Sequence, residues 1–291
     1  MKKILITGSE GFIGKALSER LDRLNYDLVC IDKKNGQDLC DYNYVKNLPD
    51  VEIIFHLAAF NGTKWFYEKP FDVVLNNTEP TLNLLKRYAK NIELFVFAGT
   101  CESYAGSVSQ NENLIPTKES VPLAIEDVLN PRWSYGGSKI GNEVSVIAAR
   151  QQFNMNYQIL RFHNIYGPNQ KDHFFSEFIS RIRKGDYSLN GFSNTRSFLY
   201  IDDAVDYVYE LMNNKKAYNE IVNIGSDEEI SIKDVAKIIM EKLKIDKDLI
   251  LRDAPEGSVK RRLPDTKKLK SFCEKSKNIS LAEGIKKVLE N

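Results

Sequence analysis

The chain has 291 residues, 42% of them hydrophobic and 28% charged, enough for one large domain with a smaller companion. Its 41 basic and 40 acidic side chains leave no global field to favour nucleic acid or an anionic membrane, and no run approaches the roughly 18 apolar residues of a membrane span. Four cysteines (Cys30, Cys40, Cys101, Cys273) show no metal-ligand spacing and are too few for a disulfide framework, and the opening Met1 to Gly8 is too short an apolar run for a signal peptide; no metal and a reducing cytoplasm are expected.

In chain order, Ile4 to Ile6 predicts a strand and Ile13 to Leu24 a helix. Leu28 to Ile31, Ile53 to Leu57 and Leu94 to Ala98 predict further strands, with a helix over Thr81 to Ala89 before the last. A helix from Tyr135 to Phe153 follows, then the apolar run Tyr157 to Phe162 and the loop signal His163 to Pro168. Strands apolar on both faces, alternating with helices, read as an α/β unit with a parallel sheet. The remainder is mixed: a helix near Phe174 to Arg183, an extended Ser197 to Ile201, helices over Asp202 to Met212 and Ile232 to Leu243, and a basic tail. This places a first domain over 1–165, a second lobe over 166–291, and part of 195–225 returning to the first.

The segment TGSEGFIG carries Gly8, Gly11 and Gly14 between the first strand and the first helix. Glycines there permit a tight turn and close backbone approach, so that free N–H groups at the helix start can hold a pyrophosphate. Asp32 ends the second strand, 18 residues beyond Gly14, where a carboxylate accepts from a ribose 2′-hydroxyl and repels a 2′-phosphate. NAD is therefore favoured over NADP, although Lys33 and Lys34 follow at once and could tolerate a phosphate. Asp38 lies in a polar turn and reads equally as a solvated acid.

Tyr135 and Lys139 stand one helical turn apart and share a face. An ammonium beside a phenol favours the phenolate, so the pair is expected to bring the phenol pKa towards neutrality and make a usable general base.

TGSEGFIG, Asp32, His56-Leu57-Ala58-Ala59, Asn77, Thr100 four residues before Tyr104, Tyr135 with Lys139, and His163 to Pro168 occur in an order that resembles an extended short-chain dehydrogenase/reductase of the NAD-dependent sugar-nucleotide epimerase/dehydratase group. Arg196 to Val205, Asn223 to Ile232 and Arg261 to Lys268 extend the likeness through most of the chain. The resemblance implies a Rossmann-type doubly wound parallel sheet with a smaller mixed α/β substrate-binding lobe. By it, Gly8, Gly11, Phe12, Ile13 and Gly14 hold the NAD pyrophosphate, Asp32 the ribose, and Asp38 with Leu39 the adenine edge. Leu57, Ala58, Ala59 and Asn77 line the cofactor cleft, and Lys139 holds the nicotinamide ribose. Tyr135 takes a sugar hydroxyl proton, Thr100 shares that hydroxyl, Asn164 contacts the sugar-nucleotide, and Arg196 and Arg262 hold its diphosphate. Arg262 reads also as part of a solvated basic tail. A homodimer is expected through Thr81 to Ala89 and Gly136 to Gln152.

The sequence departs from that pattern at Glu79-Pro80, where a glycine is usual, at Ser197, where an aspartate is common, and at His163, which reads more readily as a hydrogen-bonded packing residue than as a catalyst. Gly106 to Asn130, long and polar, would sit over the sugar and set specificity. Reactions of the group begin with oxidation of the sugar, usually at C4, by hydride transfer to NAD. A 4-epimerase needs nothing more than return of that hydride to the other face; a 4,6-dehydratase needs a base and an acid, usually Thr-Asp-Glu, where this chain has Thr100-Cys101-Glu102. Cys101 is either a buried filler or a thiol ionised by electropositive surroundings, with Glu102 as a loop carboxylate or its acid-base partner. Decarboxylation of a uronic acid, suggested by Pro131-Arg132-Trp133 and Glu102, and keto-sugar reduction are alternatives, as is a non-catalytic dinucleotide-binding regulator.

Overall fold

Alternation of large apolar residues along short strands builds the centre of the molecule, a computed structural model that describes residues 2–171, 173–254, 258–274 and 278–290. Six strands, β1 (Lys3–Thr7), β2 (Asp27–Ile31), β3 (Ile53–His56), β4 (Leu94–Thr100), β5 (Tyr157–Phe162) and β6 (Glu220–Ile224), form one parallel sheet in the order β6-β5-β4-β3-β1-β2. Helices α1 (Phe12–Asp22), α2 (Pro70–Tyr88), α3 (Ser134–Phe153) and α4 (Ile201–Asn213) cover it. Ile4, Ile6, Phe55 and Val96 pack with Leu17, Leu21 and Val205 of α1 and α4. Leu5, Ile54, Phe95 and Phe97 pack on the other face with Leu84, Leu85 and Val146 of α2 and α3. Both faces are therefore dry, as a parallel sheet requires. β1 lies between β2 and β3, so the chain reverses its direction across the sheet there, and the loops leaving β1 and β3 part to leave a crevice at the strands' carboxyl ends.

The helix expected over Thr81 to Ala89 is longer: α2 begins with Pro70 in its first turn, where the missing N–H is harmless, and runs through Pro80. A proline within a helix loosens the carbonyls one turn before it. Pro80 has no N–H to give to Asn76 O, and the next carbonyl, Asn77 O, accepts from Thr81 Oγ1 at 3.1 Å and Asn142 Nδ2 at 2.9 Å. The extended stretch expected at 197–201 is two short strands, Thr195–Ser197 and Leu199–Tyr200, and α4 already starts at Ile201.

A three-stranded sheet in the second half pairs Thr195–Ser197 with Glu229–Ser231 and Arg261–Arg262, and its register sets Arg196 directly beside Arg262. The Gly106 to Asn130 segment is laced to both halves: Ala124 N donates to Ser103 O at 3.0 Å and Thr117 N to Leu263 O at 2.8 Å.

Arg161 interrupts the apolar run of β5 with a charge that is only 3% exposed, and Glu143 of α3 meets it at 2.6 Å. The same guanidinium donates to Tyr104 Oη at 2.6 Å and Glu119 O at 3.0 Å. Removing one partner leaves an uncompensated buried charge. Arg161→Met or Glu143→Gln is expected to cost about 3–5 kcal/mol, read as a lower urea midpoint, and Arg161→Met combined with Glu143→Leu to recover a large part of it.

Candidate active site

Gly8, at φ +72°, turns the chain sharply after β1, and a Cβ on it would lie 2.7 Å from Ala58 Cα. A Cβ on Gly14 would lie 2.1 Å from Gly8 O, so the loop closes this tightly on the start of α1 only with glycine at both places. Gly11 precedes α1 and no side chain caps the helix, leaving the N–H groups of Phe12, Ile13 and Gly14 in its first turn without a side-chain acceptor. Ser9 Oγ, buried in the same loop, has no hydrogen-bond partner among the described residues. Asp32 accepts from Glu10 N at 3.0 Å on one oxygen and Lys34 N at 2.9 Å on the other, keeping lone pairs on both. These groups fit a dinucleotide pyrophosphate and a ribose diol.

The two lysines after Asp32 are both engaged within the protein. Lys33 pairs with Asp38 at 2.9 Å and donates to Asn76 Oδ1, while Lys34 Nζ donates to Glu10 O at 3.0 Å. Burial works against the Asp38 charge, but Lys33 and the Cys40 N–H hold its carboxyl below the usual range. A 2′-phosphate would have to compete with these contacts, which favours NAD. The Leu39 side chain is buried in the core and its carbonyl accepts from Asn83 Nδ2, so it presents no side chain to an adenine.

Behind Leu57, Ala58 and Ala59 runs a chain of buried hydrogen bonds in one direction. Ala58 N donates to Thr7 Oγ1 (3.2 Å), which meets His56 Nδ1 (2.8 Å); His56 Nε2 meets Thr81 Oγ1 (2.9 Å), which donates to Asn77 O. Because Thr81 gives its proton to Asn77, His56 must donate from Nε2 and accept at Nδ1. Burial, then Lys139, push the imidazole down to about 3, so it is neutral. The Asn77 amide accepts from Phe60 N at 2.8 Å and donates to Phe60 O at 3.2 Å. Asn77 thus shapes the cleft through the Ala58 to Phe60 backbone, with its side chain taken up there.

Thr100 ends β4, Tyr135 and Lys139 lie in the first turns of α3, and the fold brings the three together. The Thr100 hydroxyl lies beside the Tyr135 phenol and accepts from Glu102 N at 3.2 Å. Phe66 stacks on the Tyr135 ring at 5.4 Å between centroids. Burial, then the Glu102 charge, push the phenol above its ordinary value, with the neighbouring Thr100 hydroxyl opposing. This corrects the expectation that Lys139 brings the phenol towards neutrality. Lys139 Nζ lies 5.9 Å from the ring centre and donates to Ala98 O at 2.9 Å. Burial pushes Lys139 itself down to about 8, with Glu143 opposing.

Glu102 sits between two arginines: Oε1 is 2.8 Å from Arg262 and Oε2 3.8 Å from Arg132. Burial opposes its charge, but Arg262 and Arg132 hold the carboxyl below the usual range. Arg262 does not lie in a solvated tail: it is held beside Arg196 by the small sheet and reaches Glu102 at the end of β4. Burial, against the pull of Arg262 and Arg196, keeps the Cys101 thiol above its ordinary value, which removes the reading of an ionised thiol at rest. Arg196 donates to Thr195 O and Lys260 O, and burial, then Arg262, push it down to about 9. Asn164 Nδ2 donates to Ser197 O at 3.0 Å, tying the loop after β5 to the strand that bears Arg196. His163, 3% exposed, meets Asn223 Oδ1 through Nε2 at 3.4 Å, and burial pushes it down to about 3, so it packs as a neutral ring.

The sequence reading missed Glu143, Arg161 and the role of Arg132 beside Glu102. Two signals were present: Glu143 lies one turn beyond Lys139, and Arg161 is a charge inside an apolar strand run. Among the described residues no group of three or more His, Cys, Asp or Glu is placed to hold a metal ion, and no helix is long and apolar enough to cross a membrane.

A glycine turn at the sheet's reversal, with a hydroxyl, phenol and ammonium two strands away, defines a dinucleotide-dependent enzyme. Residues 4–225 match the NAD dependent epimerase/dehydratase family, and the chain belongs to it. It is 29% identical to a UDP-N-acetyl-alpha-D-glucosaminuronate decarboxylase of Bacillus cytotoxicus, covering 99% of this chain and 97% of that protein. It is 30% identical to a putative UDP-glucose 4-epimerase of Methanocaldococcus jannaschii, covering 98% and 97%. The UDP-glucose 4-epimerase of Thermotoga maritima superposes with a TM-score of 0.88 at 24% identity, covering 99% and 97%, a likeness of fold.

The buried ammonium has a pH signature. With its pKa at about 8 against an ordinary 10.5, Lys139 is penalised by folding when charged. The penalty is complete below pH 8 and vanishes as pH rises towards 10.5. Relative to Lys139→Met, the wild type is expected to gain up to about 3 kcal/mol between about pH 7 and pH 10.5 in urea unfolding. A difference that stays constant over that range would refute the assignment.

Proposed function

We propose that the protein oxidises a nucleoside diphosphate sugar at C4 and returns the hydride before product leaves, with no net use of NAD. The observation that carries this reading is the convergence of the Thr100 hydroxyl, the Tyr135 phenol and the Lys139 ammonium at the carboxyl end of β4. Bound NAD supplies the hydride acceptor. Tyr135, whose phenol is protonated in the protein alone, would release that proton to solvent once the positive nicotinamide ring of NAD lies beside it, and as a phenolate would accept the C4 hydroxyl proton, with the Thr100 hydroxyl placed to donate to its oxygen. Glu102 opposes it, but its charge is covered by Arg132 and Arg262. Return of hydride to the other face of the ketone, with Tyr135 giving back the proton, completes a 4-epimerisation. Elimination of the C6 hydroxyl is less favoured, because the carboxylate that would take the C5 proton is a weak base between two guanidiniums.

In this reading Gly8, Gly11 and Gly14 hold the pyrophosphate, Asp32 the ribose, and Arg196 and Asn164 the sugar-nucleotide. Residues 1–165 serve mainly NAD and 166–291 mainly the substrate, in a reducing cytoplasm that keeps the four thiols free. Exposed Phe71, Val74 and Leu82 on α2 and Val144 on α3 support a homodimer across these helices.

Purified protein is expected to release NAD on denaturation and to convert one of the UDP-, dTDP-, GDP- or CDP-hexoses without net change in nicotinamide absorbance. Tyr135→Phe should lower kcat by about 10²–10⁴; full activity in that variant would sink the reading. Sedimentation should give a dimer for the wild type and a monomer for Val144→Glu.

A further inference from the structure

Tyr135, Lys139 and Glu143 stand one turn apart along a single stripe of α3, and they meet three consecutive residues at the end of β4. Tyr135 lies beside Thr100, Lys139 Nζ donates to Ala98 O at 2.9 Å, and Glu143 comes up against Gly99. A Cβ on Gly99 would lie 3.0 Å from Glu143 Oε1 and 3.0 Å from Arg161 Cγ, so a side chain there would press on the ion pair. Arg161, opposite Gly99 on β5, donates to both carboxylate oxygens, from Nε at 3.1 Å to each and from a terminal nitrogen at 2.6 Å to Oε2. The carboxylate hangs from the helix that bears Lys139 and the guanidinium from the neighbouring strand, so the pair turns its negative end to Lys139.

All three ionisable groups are buried, and two cations share one carboxylate. A buried ammonium with no negative charge near it gives up its proton, and burial pushes Lys139 that way; Glu143 is the charge that opposes it. The other titratable groups facing Lys139 are the Tyr135 phenol on its own helix and His56 of β3, both uncharged in the protein alone. β4 offers the Ala98 carbonyl and the Phe97 ring, 4.8 Å from Nζ, and α2 meets this stretch of α3 through the uncharged Asn77 and Asn142. The charge matters to the chemistry. An ammonium has three N–H groups, and with one on Ala98 O two remain for the hydroxyls of a nicotinamide ribose, where a neutral amine keeps one. It also favours a phenolate at Tyr135.

We propose that Glu143, oriented by Arg161, is a positioning residue for hydride transfer, its carboxylate serving as the counter-charge that keeps Lys139 an ammonium beside Tyr135 and the nicotinamide ribose. This rests on the reading above, in which Tyr135 and NAD oxidise the sugar. The ion pair then has two separable roles: one in stability, which apolar residues of similar volume can take over, and one in charge, which they cannot.

The test uses Arg161→Met combined with Glu143→Leu, the variant expected to recover much of its stability, so that lost activity is not lost folding. Turnover by the NAD-loaded wild type and variant is followed against pH on whichever UDP-, dTDP-, GDP- or CDP-hexose the wild type converts. Without Glu143 the Lys139 proton is expected to leave about one pH unit earlier, so the ratio of variant to wild-type kcat falls about tenfold from about pH 6 to about pH 9. Glu143→Asp, which keeps the charge, should give a ratio that stays level over the same range. A purely structural role lowers kcat by one factor at every pH, so a level ratio in the double variant overturns this inference and leaves C4 oxidation intact. If the double variant does not fold, by circular dichroism, Glu143→Gln decides on the same ratio. Turnover of no sugar on any base by the wild type overturns the reading and this inference with it.

Discussion

Burying one guanidinium constrains most of the reacting end of the molecule. Arg161 reaches Glu143 on α3, Tyr104 after β4, and the carbonyl of Glu119 in the segment laid over the site. An interior charge is tolerated only when its donors are satisfied together, so the four segments must arrive in one geometry or none. Tyr104 passes the constraint on through Asn223 Oδ1 at 3.0 Å, and Asn223 Nδ2 passes it to Thr117 O at 2.9 Å. Thr100 stands four residues before Tyr104, and Lys139 one turn before Glu143. Thr100 and Lys139 therefore take their positions from a pair that touches neither.

The protonation states around that pair differ sharply over short distances. Two histidines are neutral, the Cys101 thiol and Tyr135 phenol hold their protons, and Glu102 is ionised. Lys139 alone among these groups is poised near neutrality. Burial sets the direction for every uncharged member, and Glu102 keeps its charge because arginines gather around it. The cleft is thus an apolar frame around a local positive field, an arrangement suited to holding an anionic substrate against a neutral reacting centre.

What could be read from the sequence was local. Gly8, Gly11 and Gly14 with Asp32, and Tyr135 with Lys139, are spacings within one turn or one βαβ unit, and the strands announced themselves as apolar runs. The start of α2 was obscured because Pro80 looks like a boundary, whereas the helix runs through it and the neighbouring Asn77 carbonyl takes side-chain donors from Thr81 and α3. The partners of Glu102 come from segments 30 and 160 residues away, and no period or motif links Arg132, Arg262 and Glu102 before the chain folds. The resemblance places Arg262 with Arg196, and the register of the small sheet sets the two side by side, but its contact with Glu102 appears only once the chain is folded.

The Thr7, His56, Thr81 and Asn77 chain carries an orientation as well as contacts. Each hydroxyl has one proton, so choosing the acceptor at Asn77 settles every donor back to Ala58 N. Inverting a single link would set two donors or two lone pairs face to face. The row therefore behaves as a polarised wire with one permitted sense, and its members should be energetically indivisible: replacing a second one would cost far less than replacing the first, because the alignment is already gone.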